Sequence, residues 1–497
     1  MRILDRRMLA ALAGLAMCIA GAWNLERARS GLTIAPLNAG ATPATVYRRD
    51  NGASAPVVVI CHGFAGSRQF MEAYALTLAH AGYIAVAFDF EGHGRNPRPM
   101  SGDVTHVDGT TRLLQAEIGR VTDAALALLG ADGRVALLGH SMASDIIVRQ
   151  AIADPRVGAT VAISMFSNAV TALEPRDLLI VSGAWETMLR ANALHNVRLI
   201  DPAAKEDETI GDPAKGSGRR AAVAPGVEHI GVLYSSAALL EARKWLDAAF
   251  GRESTGPVAT TGMWIILLLS GIVLLAWPMS SLLPRSGTPV PAIAPGTFLL
   301  AALAPAALTP LLLRFVDTRF LPVLVAGYLT AHLLVYGGLC LGILALRGVR
   351  PGRIAIIPAL ALATYGILVF GGALDRYVAS FMPIPARLPI IAAMAVGAIP
   401  YMLGESVALE GGRAPFWRML VARGAFLVSL GIAVTLDFQR LFFLLIILPV
   451  IVAFFVVFGL MGGWVGRRTM SPAAVGLALG LILAWSLGVT FPMFSRG

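Results

Sequence analysis

One short stretch of the chain combines a hydroxyl nucleophile with small neighbours. Residues 139–143 are Gly-His-Ser-Met-Ala, and they follow the apolar run Arg-Val-Ala-Leu-Leu at 134–138. A serine attacks an acyl carbon when a histidine takes its proton and a carboxylate orients that histidine. A serine between small residues also fits an ordinary turn, so the stretch has to be judged by what the rest of the chain supplies.

Strands and helices are predicted to alternate around this stretch. Apolar runs predict strands at 56–61, 83–90, 134–139, 159–164 and 177–183. Helices are predicted at 69–81, 112–129 and 142–153. Apolar strands that alternate with helices indicate an α/β fold, a mostly parallel sheet covered on both faces. Ser141 then lies between a strand and a helix, where a nucleophile elbow belongs and where helix N–H groups face a developing anion.

Five motifs appear in the order typical of one superfamily. They are CHGFAG (61–66), DFEGHGRN (89–96), GHSMA (139–143), SGAWE (182–186) and VEHIGVLYS (227–235). In that order they resemble the oxyanion turn, the Asp-x-x-Gly-x-Gly loop, the elbow, the acid loop and the histidine loop of the α/β-hydrolase superfamily. The resemblance covers roughly residues 32–252. Ala143 and Glu186 depart from the commoner Gly and Asp of the family.

The resemblance implies a site residue by residue. Ser141 is the expected nucleophile, His229 the base and Glu186 the acid that orients it. The backbone N–H groups of Phe64 and Met142 are expected to form the oxyanion hole. The family's site needs no cofactor or metal, and none is expected here.

Other polar residues near the same end of the sheet are interpreted as structural. This set contains three histidines, one carboxylate and one thiol: His62, His93, His140, Asp89 and Cys61. Glu186, rather than Asp89 or Asp201, is the predicted triad acid. The segment between the sixth and seventh strands of the resemblance, 166–176, is too short for a lid domain. The polar segment 205–220 is interpreted as a solvated surface loop, although it could flank the site.

The remainder of the chain has a membrane composition. Of the 497 residues 56% are hydrophobic and 14% charged, and the apolar excess lies after residue 257. Eight spans of about 20 residues are predicted there, an all-α transmembrane bundle. Their ranges are 258–282, 296–313, 321–346, 354–373, 388–407, 415–436, 441–464 and 471–492. His332 and Glu405 are the clearest ionisable residues inside spans, where such residues often mark functional sites. Glu405 also fits snorkelling at the inner boundary.

The N-terminus begins with a basic group and an apolar stretch from Met8 to Trp23. It fits either a cleaved signal peptide or an uncleaved signal anchor, and the absence of an Ala-x-Ala site favours the anchor. With the N-terminus inside, and leaving out the large domain between the first two spans, twelve arginines fall in inner segments and six in the outer loops and tail. This bias predicts that the domain between the first two spans is extracytoplasmic, periplasmic in a bacterial inner membrane. The predicted domains are 1–31 (anchor), 32–255 (α/β hydrolase) and 256–497 (membrane domain).

Charge and cysteine usage exclude some partners. The net charge of +10 is explained by arginines in short loops beside spans, so no nucleic-acid partner is expected. Cys18, Cys61 and Cys340 have no metal-ligand spacing and predict no disulfide. The expected partners are the lipid bilayer and an ester-like or lipid-like small molecule, and the oligomeric state stays open.

Two classes of function remain from the sequence. The first is a membrane-embedded serine hydrolase, carboxylesterase-like or lipase-like, that acts on a hydrophobic or lipid-linked ester. The second is a transporter or membrane-assembly protein with a regulatory hydrolase-like domain. An acyltransferase would use the same three residues, with an alcohol or amine in place of water.

Overall fold

The computed structural model describes residues 2–50, 52–103 and 107–495 and divides the chain into two compact units. The first, which we call the sheet unit, comprises Gly21–Ile266, Asp375–Ser380 and the residues from Pro492 onwards. The second, the helical unit, comprises the residues up to Ala20, Leu267–Leu374 and Phe381–Phe491. Two short segments from the far half of the chain therefore belong to the sheet unit.

A single mixed sheet organises the sheet unit. Its described strands are β1 Leu32–Ala39, β2 Thr42–Arg49, β3 Ala55–Cys61, β4 Ile84–Phe88, β5 Ala131–His140, β6 Val157–Ile163, β7 Leu178–Gly183, β8 Thr209–Ile210 and β9 Arg219–Ala224. Their spatial order is β1-β2-β4-β3-β5-β6-β7-β9-β8. The pairs β1–β2, β2–β4 and β8–β9 are antiparallel, and all other pairs are parallel. The prediction of a mostly parallel α/β sheet is confirmed.

Helices cover both faces of this sheet. The described α-helices of the unit are the C-terminal part of α1 Arg2–Arg29, then α2 Glu72–His80, α3 Arg112–Leu126, α4 Met142–Ala153, α5 Thr187–Arg198 and α6 Ser236–Ala249. One buried cluster joins α3, α4 and α5 to the sheet, and a second joins α2 and α6 to the opposite face. Because β3 is buried on both faces, all seven of its residues are inaccessible to solvent, which explains its continuous apolar run.

The strands at the edges of the sheet were missed by the sequence analysis. β1 and β2 form a hairpin in which Ala39 pairs with Thr42 around a two-residue turn, and Gly40 has a φ of 69° there. The interpretation of 205–220 as a solvated loop was wrong in part, because β8 and the start of β9 lie in it. Arg219 is buried and donates hydrogen bonds to three backbone carbonyls.

The helical unit is built from long apolar helices. Those described are α7 Gly262–Ser280, α8 Pro295–Leu313, α9 Ala326–Leu346, α10 Ile356–Thr364, α11 Gly371–Tyr377, α12 Leu388–Ala408, α13 Phe416–Leu436, α14 Phe438–Leu441, α15 Leu444–Thr469 and α16 Pro472–Thr490. A π-helical turn at Tyr365–Phe370 makes α10 and α11 continuous. Within the described residues, nine helices including α1 are long and apolar enough to cross a membrane, which fits a multi-pass membrane protein.

Glycines allow close contact at the centre of the helical unit. A Cβ atom on Gly397 of α12 would lie 2.2 Å from the carbonyl oxygen of Thr330 on α9. A Cβ atom on Gly480 of α16 would lie 2.6 Å from the Cα atom of Ile399 on α12. Small residues at such crossings replace the hydrophobic driving force that lipid cannot supply, because they permit tight van der Waals contact.

Candidate active site

Ser141 occupies a sharp turn between β5 and α4. Its φ of 54° and ψ of −118° are unfavourable for a residue with a side chain, and the surrounding structure has to hold them in place. The backbone N–H of Ser141 donates to the carbonyl oxygen of Ile163, and the N–H of Ser144 donates to the carbonyl oxygen of Ser141. The turn thus presents the Ser141 hydroxyl at the carboxyl end of the sheet, as a nucleophile elbow does.

The structure brings the three predicted side chains together. The distance from Ser141 Oγ to His229 Nε2 is 2.9 Å, and the distance from His229 Nδ1 to Glu186 Oε1 is 2.6 Å. Glu186 is almost buried, with 6% of its side chain exposed, whereas 41% of the His229 side chain is exposed. The arrangement therefore has a nearly buried carboxylate at one end and an accessible imidazole beside Ser141.

The second oxygen of Glu186 is fully used. Glu186 Oε2 accepts hydrogen bonds from the Ser164 hydroxyl at 2.7 Å and from the Gly183 N–H at 2.6 Å. Burial acts to raise the pKa of Glu186, but the hydrogen bonds from His229, Gly183 and Ser164 together lower it below its ordinary value. The carboxylate consequently stays charged and oriented towards His229.

Ser164 is a residue of this site that the sequence analysis missed. It follows β6 directly, and its φ of 51° turns its hydroxyl towards Glu186. The sequence signal was weak, because a serine at the end of an apolar strand is common. Only the adjacency of β6 and β7 in the sheet brings Ser164 next to the acid loop.

His140 packs against His229. Its Nε2 atom lies 2.9 Å from the carbonyl oxygen of His229, and the two imidazole rings are 4.8 Å apart. Burial, together with the neighbouring His229, lowers the pKa of His140 to about 3, so the ring is neutral at ordinary pH. A neutral His140 can donate one hydrogen bond to the backbone of the histidine loop without competing for the proton of Ser141.

The two residues predicted to form the oxyanion hole lie beside Ser141. Met142 is the first residue of α4, where helix N–H groups have no partner within the helix. Phe64 belongs to the turn after β3, and this turn passes close to the nucleophile. A Cβ atom on the preceding Gly63 would lie 3.0 Å from Ser141 Cβ, which shows how closely the turn approaches Ser141.

The polar residues interpreted as structural take other positions. His62 is buried, with Nδ1 2.8 Å from the Gly63 carbonyl oxygen and Nε2 accepting from the Phe90 N–H. His93 Nδ1 lies 3.0 Å from the Glu91 carbonyl oxygen. Asp201 Oδ1 accepts from the Ala203 N–H at 2.9 Å.

Asp89 and Cys61 also have structural environments. Asp89 accepts hydrogen bonds from the backbone N–H groups of Arg68 and Arg95 and from the Arg68 guanidinium. Cys61 is fully buried at the end of β3, and burial raises the pKa of its thiol well above the ordinary value. A buried neutral thiol is a poor nucleophile. Among the described residues no group of three potential metal ligands was found.

Comparison with known proteins agrees with this architecture. Residues 52–206 match the family model described as serine aminopeptidase, S33. Together with the sheet order, this match identifies the sheet unit as an α/β-hydrolase domain, joined in one chain to a helical region with several long apolar helices. No curated protein matches the chain.

Solved structures of low identity are also similar to part of the chain. An epoxide hydrolase from Vigna radiata is 23% identical, with 27% of this chain and 41% of that chain covered and a TM-score of 0.22. The dienelactone hydrolase of Anabaena variabilis is 15% identical, with coverages of 43% and 96% and a TM-score of 0.33. TT1662 from Thermus thermophilus is 19% identical, with coverages of 44% and 99% and a TM-score of 0.31. The chain thus spans about two fifths of the epoxide hydrolase.

Proposed function

We propose that the chain is a membrane-embedded serine hydrolase that cleaves carboxylic esters or thioesters through an acyl-enzyme. The observation that carries this proposal is the hydrogen-bonded series from Ser141 to His229 to Glu186, with Ser141 on a strained elbow. Each distance lies within the range that proton transfer requires. An ordinary turn serine would need neither the unfavourable backbone angles nor an oriented imidazole.

The chemistry follows from the positions of the protons. Ser141 Oγ attacks the acyl carbon while His229 Nε2 takes its proton, and Glu186 stabilises the resulting imidazolium. The N–H groups of Phe64 and Met142 are proposed to bind the oxyanion, each worth roughly 3 kcal/mol in the transition state. His229 then gives the proton to the leaving alcohol or thiol. In the second half, His229 Nε2 takes a proton from water while the water oxygen attacks the acyl carbon. His229 then returns that proton to Ser141 Oγ as the bond between the acyl carbon and Oγ breaks and the carboxylic acid leaves.

Apolar side chains beside the triad support a hydrophobic substrate. Trp185 and Met188 flank Glu186, with exposures of 69% and 84%, and Ile230 follows His229. Phe166, two residues after Ser164, is also largely exposed. We call Phe166, Trp185, Met188 and Ile230 the apolar rim. All four lie within two residues of Ser164, Glu186 or His229 in the sequence. Exposed apolar side chains at a site are typical of a surface that binds an apolar ligand, here proposed to be a lipid-like or long-chain acyl group.

The short connection between β6 and β7 leaves room for a large acyl group. Only residues 164–177 join these strands, so this position carries no lid domain. Arg219 holds the connection through hydrogen bonds to the carbonyl oxygens of Thr171 and Pro175. We therefore propose that bulky or lipid-linked esters reach Ser141 without displacing a cap.

The domain is proposed to face the periplasm of a bacterial inner membrane. The arginine bias supports this side. The parity of the nine candidate spans places the segments after the fifth and the ninth span on the same side as the domain between the first two spans, in either orientation of the chain. Both segments belong to the sheet unit. Reporters inserted after Trp23 and within residues 205–219 test the side. A cytoplasmic signal from them would reject it.

Labelling with a fluorophosphonate tests the nucleophile. The full chain in nanodiscs should be labelled, Ser141→Ala should not, and the matched control Ser236→Ala at the exposed start of α6 should behave as the wild type. Labelling that persists in Ser141→Ala would contradict the assignment. The unlabelled wild type should then be assayed on short esters, long-chain esters, phospholipids and aminoacyl amides. Turnover of the amides alone would replace the ester by a peptide-like substrate.

Two alternatives predict different results. An acyltransferase would need an added alcohol or amine for turnover and would form a new ester or amide. A regulatory hydrolase-like domain of a transporter or assembly protein would show neither labelling nor turnover, although the same side chains are present. Mass spectrometry of the labelled peptide and of the products distinguishes the three outcomes.

A further inference from the structure

Two segments distant in sequence are built into the sheet unit. The first is Asp375–Ser380, which ends α11 and precedes α12, and we call it the 375 segment. The second is residues 492–495 after α16, which we call the 492 segment. Both adjoin helices of the apolar half of the chain. Neither was expected from the sequence to take part in the α/β-hydrolase domain.

The 375 segment binds the loop that carries Phe64. We call residues 62–71, between β3 and α2, the oxyanion loop. The backbone N–H of Ser380 donates to Ser67 Oγ at 3.0 Å, and the Ser380 hydroxyl donates to Gln69 Oε1 at 3.1 Å. Gln69 Nε2 in turn donates to the carbonyl oxygen of Asp375 at 3.2 Å. The side-chain amide of Gln69 therefore has both of its ends bound by the 375 segment.

These contacts are sheltered from water. Ser67 and Ser380 are buried, with 2% and 8% of their surfaces exposed. A buried hydroxyl or amide that loses its partner destabilises the structure, because water does not replace the lost hydrogen bond. The contacts hold the loop more firmly than the same hydrogen bonds would at the surface.

A second connection reaches the neighbouring turn after β4. Arg95 forms an ion pair with Asp375 at 2.5 Å, and the Arg95 backbone N–H donates to Asp89. Asp89 also accepts from the backbone N–H of Arg68 in the oxyanion loop at 2.8 Å. The 375 segment thus contacts the oxyanion loop directly. It also reaches the loop indirectly, through Arg95 and then Asp89, which binds Arg68.

The 492 segment forms backbone hydrogen bonds with the same turn at Gly92 and with Met100 beyond it. Met493 donates from its N–H to the Gly92 carbonyl oxygen at 2.9 Å and accepts from the Met100 N–H at 2.8 Å. The N–H of Ser495 donates to the Met100 carbonyl oxygen. A Cβ atom on Gly92 would lie 2.6 Å from the Met493 oxygen, so the close approach requires glycine.

We propose that the 375 segment is a positioning element of the active site. On this proposal, which rests on the proposed function, Ser380 and Gln69 are positioning residues that fix the oxyanion loop next to Ser141. The loop has no regular structure between the end of β3 and the turn at Arg68–Met71. Stabilising a tetrahedral intermediate requires that its N–H donors sit within a few tenths of an ångström of their place. Residues 32–255 alone lack the partner that supplies this restraint.

A matched pair of variants at Ser380 tests the proposal in the full chain. Ser380→Thr keeps the hydroxyl, whereas Ser380→Val introduces a side chain of nearly the same shape as threonine that has no hydroxyl to donate to Gln69. We expect kcat on a short ester to fall about tenfold in Ser380→Val relative to Ser380→Thr, with KM changed less than twofold, because a misplaced donor affects the transition state more than the substrate. The fluorophosphonate labelling rate should fall in parallel.

A second pair uses Gln69. Gln69→Leu removes both hydrogen bonds to the 375 segment, and Gln115→Leu on α3 serves as the control for the same chemical change. We expect Gln69→Leu to lose at least as much kcat as Ser380→Val, and the control to lose less than twofold. Equal kcat in Ser380→Thr and Ser380→Val, together with an unaffected Gln69→Leu, would overturn the proposal.

Hydrogen exchange separates this proposal from the proposed function. The amides of peptides that cover residues 62–71 should exchange several-fold faster in Ser380→Val than in Ser380→Thr, whether or not an ester is turned over. Faster exchange without any activity in the wild type would support the restraint and reject the hydrolase. Unchanged exchange with normal activity would reject the restraint and leave the hydrolase supported.

Discussion

Two buried carboxylates, one in each unit, have different kinds of partner. Glu186 in the sheet unit accepts hydrogen bonds from an imidazole, a hydroxyl and a backbone N–H. Glu405 in the helical unit is paired with the Arg423 guanidinium at 2.7 Å through one oxygen, and its other oxygen has no partner among the described residues. The partner of Glu186 is a histidine, which can gain and lose a proton, whereas the partner of Glu405 is an arginine, which carries a fixed positive charge.

The difference indicates what each carboxylate does. His229 contacts both Glu186 and Ser141, so on the proposed mechanism it can take the proton of Ser141 while Glu186 stays charged and stabilises the imidazolium. Arg423 cannot release its proton, and it also donates to the carbonyl oxygen of Phe455 and lies over the Phe455 ring. The position of Glu186 fits catalysis, whereas Glu405 and Arg423 fit a bond that holds α12, α13 and α15 together.

The largest expected effect is the loss of kcat on substitution of Glu186, the carboxylate proposed to act in catalysis. Glu186→Gln should lower kcat about 10³- to 10⁴-fold, since a neutral amide neither stabilises the imidazolium nor fixes the tautomer of His229. The control Asp201→Asn should stay within about twofold, because Asp201 bonds only its own loop. Ester hydrolysis at saturating substrate measures both. Comparable losses in the two variants would remove Glu186 from its assigned role.

The next effect concerns the ion pair of the helical unit. Arg423→Leu should destabilise the chain by about 3–5 kcal/mol, because Glu405 is left buried without a cation. The double variant Glu405→Leu, Arg423→Leu should be less destabilised, and kcat per folded molecule should stay near that of the wild type. Thermal loss of monodisperse protein in detergent gives the ranking. If the double variant is no more stable than the single one, Glu405 is not the partner that matters.

A smaller effect is expected from pH on the sheet unit. His140 has a pKa of about 3 in the folded chain, against 6.5 for an unperturbed histidine, so between these values the unfolded chain binds a proton that the folded chain does not. The free energy of unfolding should therefore decrease as pH falls below 6.5, by about 1.4 kcal/mol per pH unit for this group. His62, whose pKa burial also lowers, adds in the same direction.

His140→Asn tests that assignment. Pulse proteolysis in urea, followed through fragments of residues 32–255, measures the free energy of unfolding between pH 7 and 5. The slope with pH should become shallower in His140→Asn than in the wild type. An identical slope would mean that the folded chain accommodates a charged His140.

The smallest expected effect is a change in KM on substitution of a residue of the apolar rim. Exposed apolar side chains cover the membrane-type helices generally, but in the sheet unit the apolar rim lies beside the triad. Trp185→Ala should raise KM for long-chain esters about fivefold, on the order of 1 kcal/mol, and leave short esters within twofold. Leu129→Ala, at an exposed apolar residue after α3, is the control. Equal changes for both chain lengths would show that the rim does not bind the acyl group.

Much of this protein followed from local patterns in the sequence. The central strands β3 to β7 are apolar on both faces, so their runs could be recognised without knowing their neighbours, and α4 was predicted at the residues where it occurs. The ranges of the eight predicted spans each overlap a long apolar helix. The resemblance of five motifs to the α/β-hydrolase superfamily selected Ser141, His229 and Glu186, which the structure brings within hydrogen-bond distance. Their catalytic roles stay predictions.

Only the tertiary structure decided the features that depend on contacts between distant residues. The hairpin of β1 and β2 and the short β8 lie at the edges of the sheet. They lack the long uninterrupted apolar runs of the central strands, since Pro, Thr and Asn interrupt the hairpin and β8 has only two residues. Ser164 joins the site because β6 and β7 are neighbours, and His140 because the histidine loop lies over β5. Ser380 lies more than three hundred residues from Ser67, and no periodicity or motif links them. Local sequence determines which elements form, whereas the pairing of polar groups across the fold is fixed only when the chain has packed and each buried donor has found its acceptor.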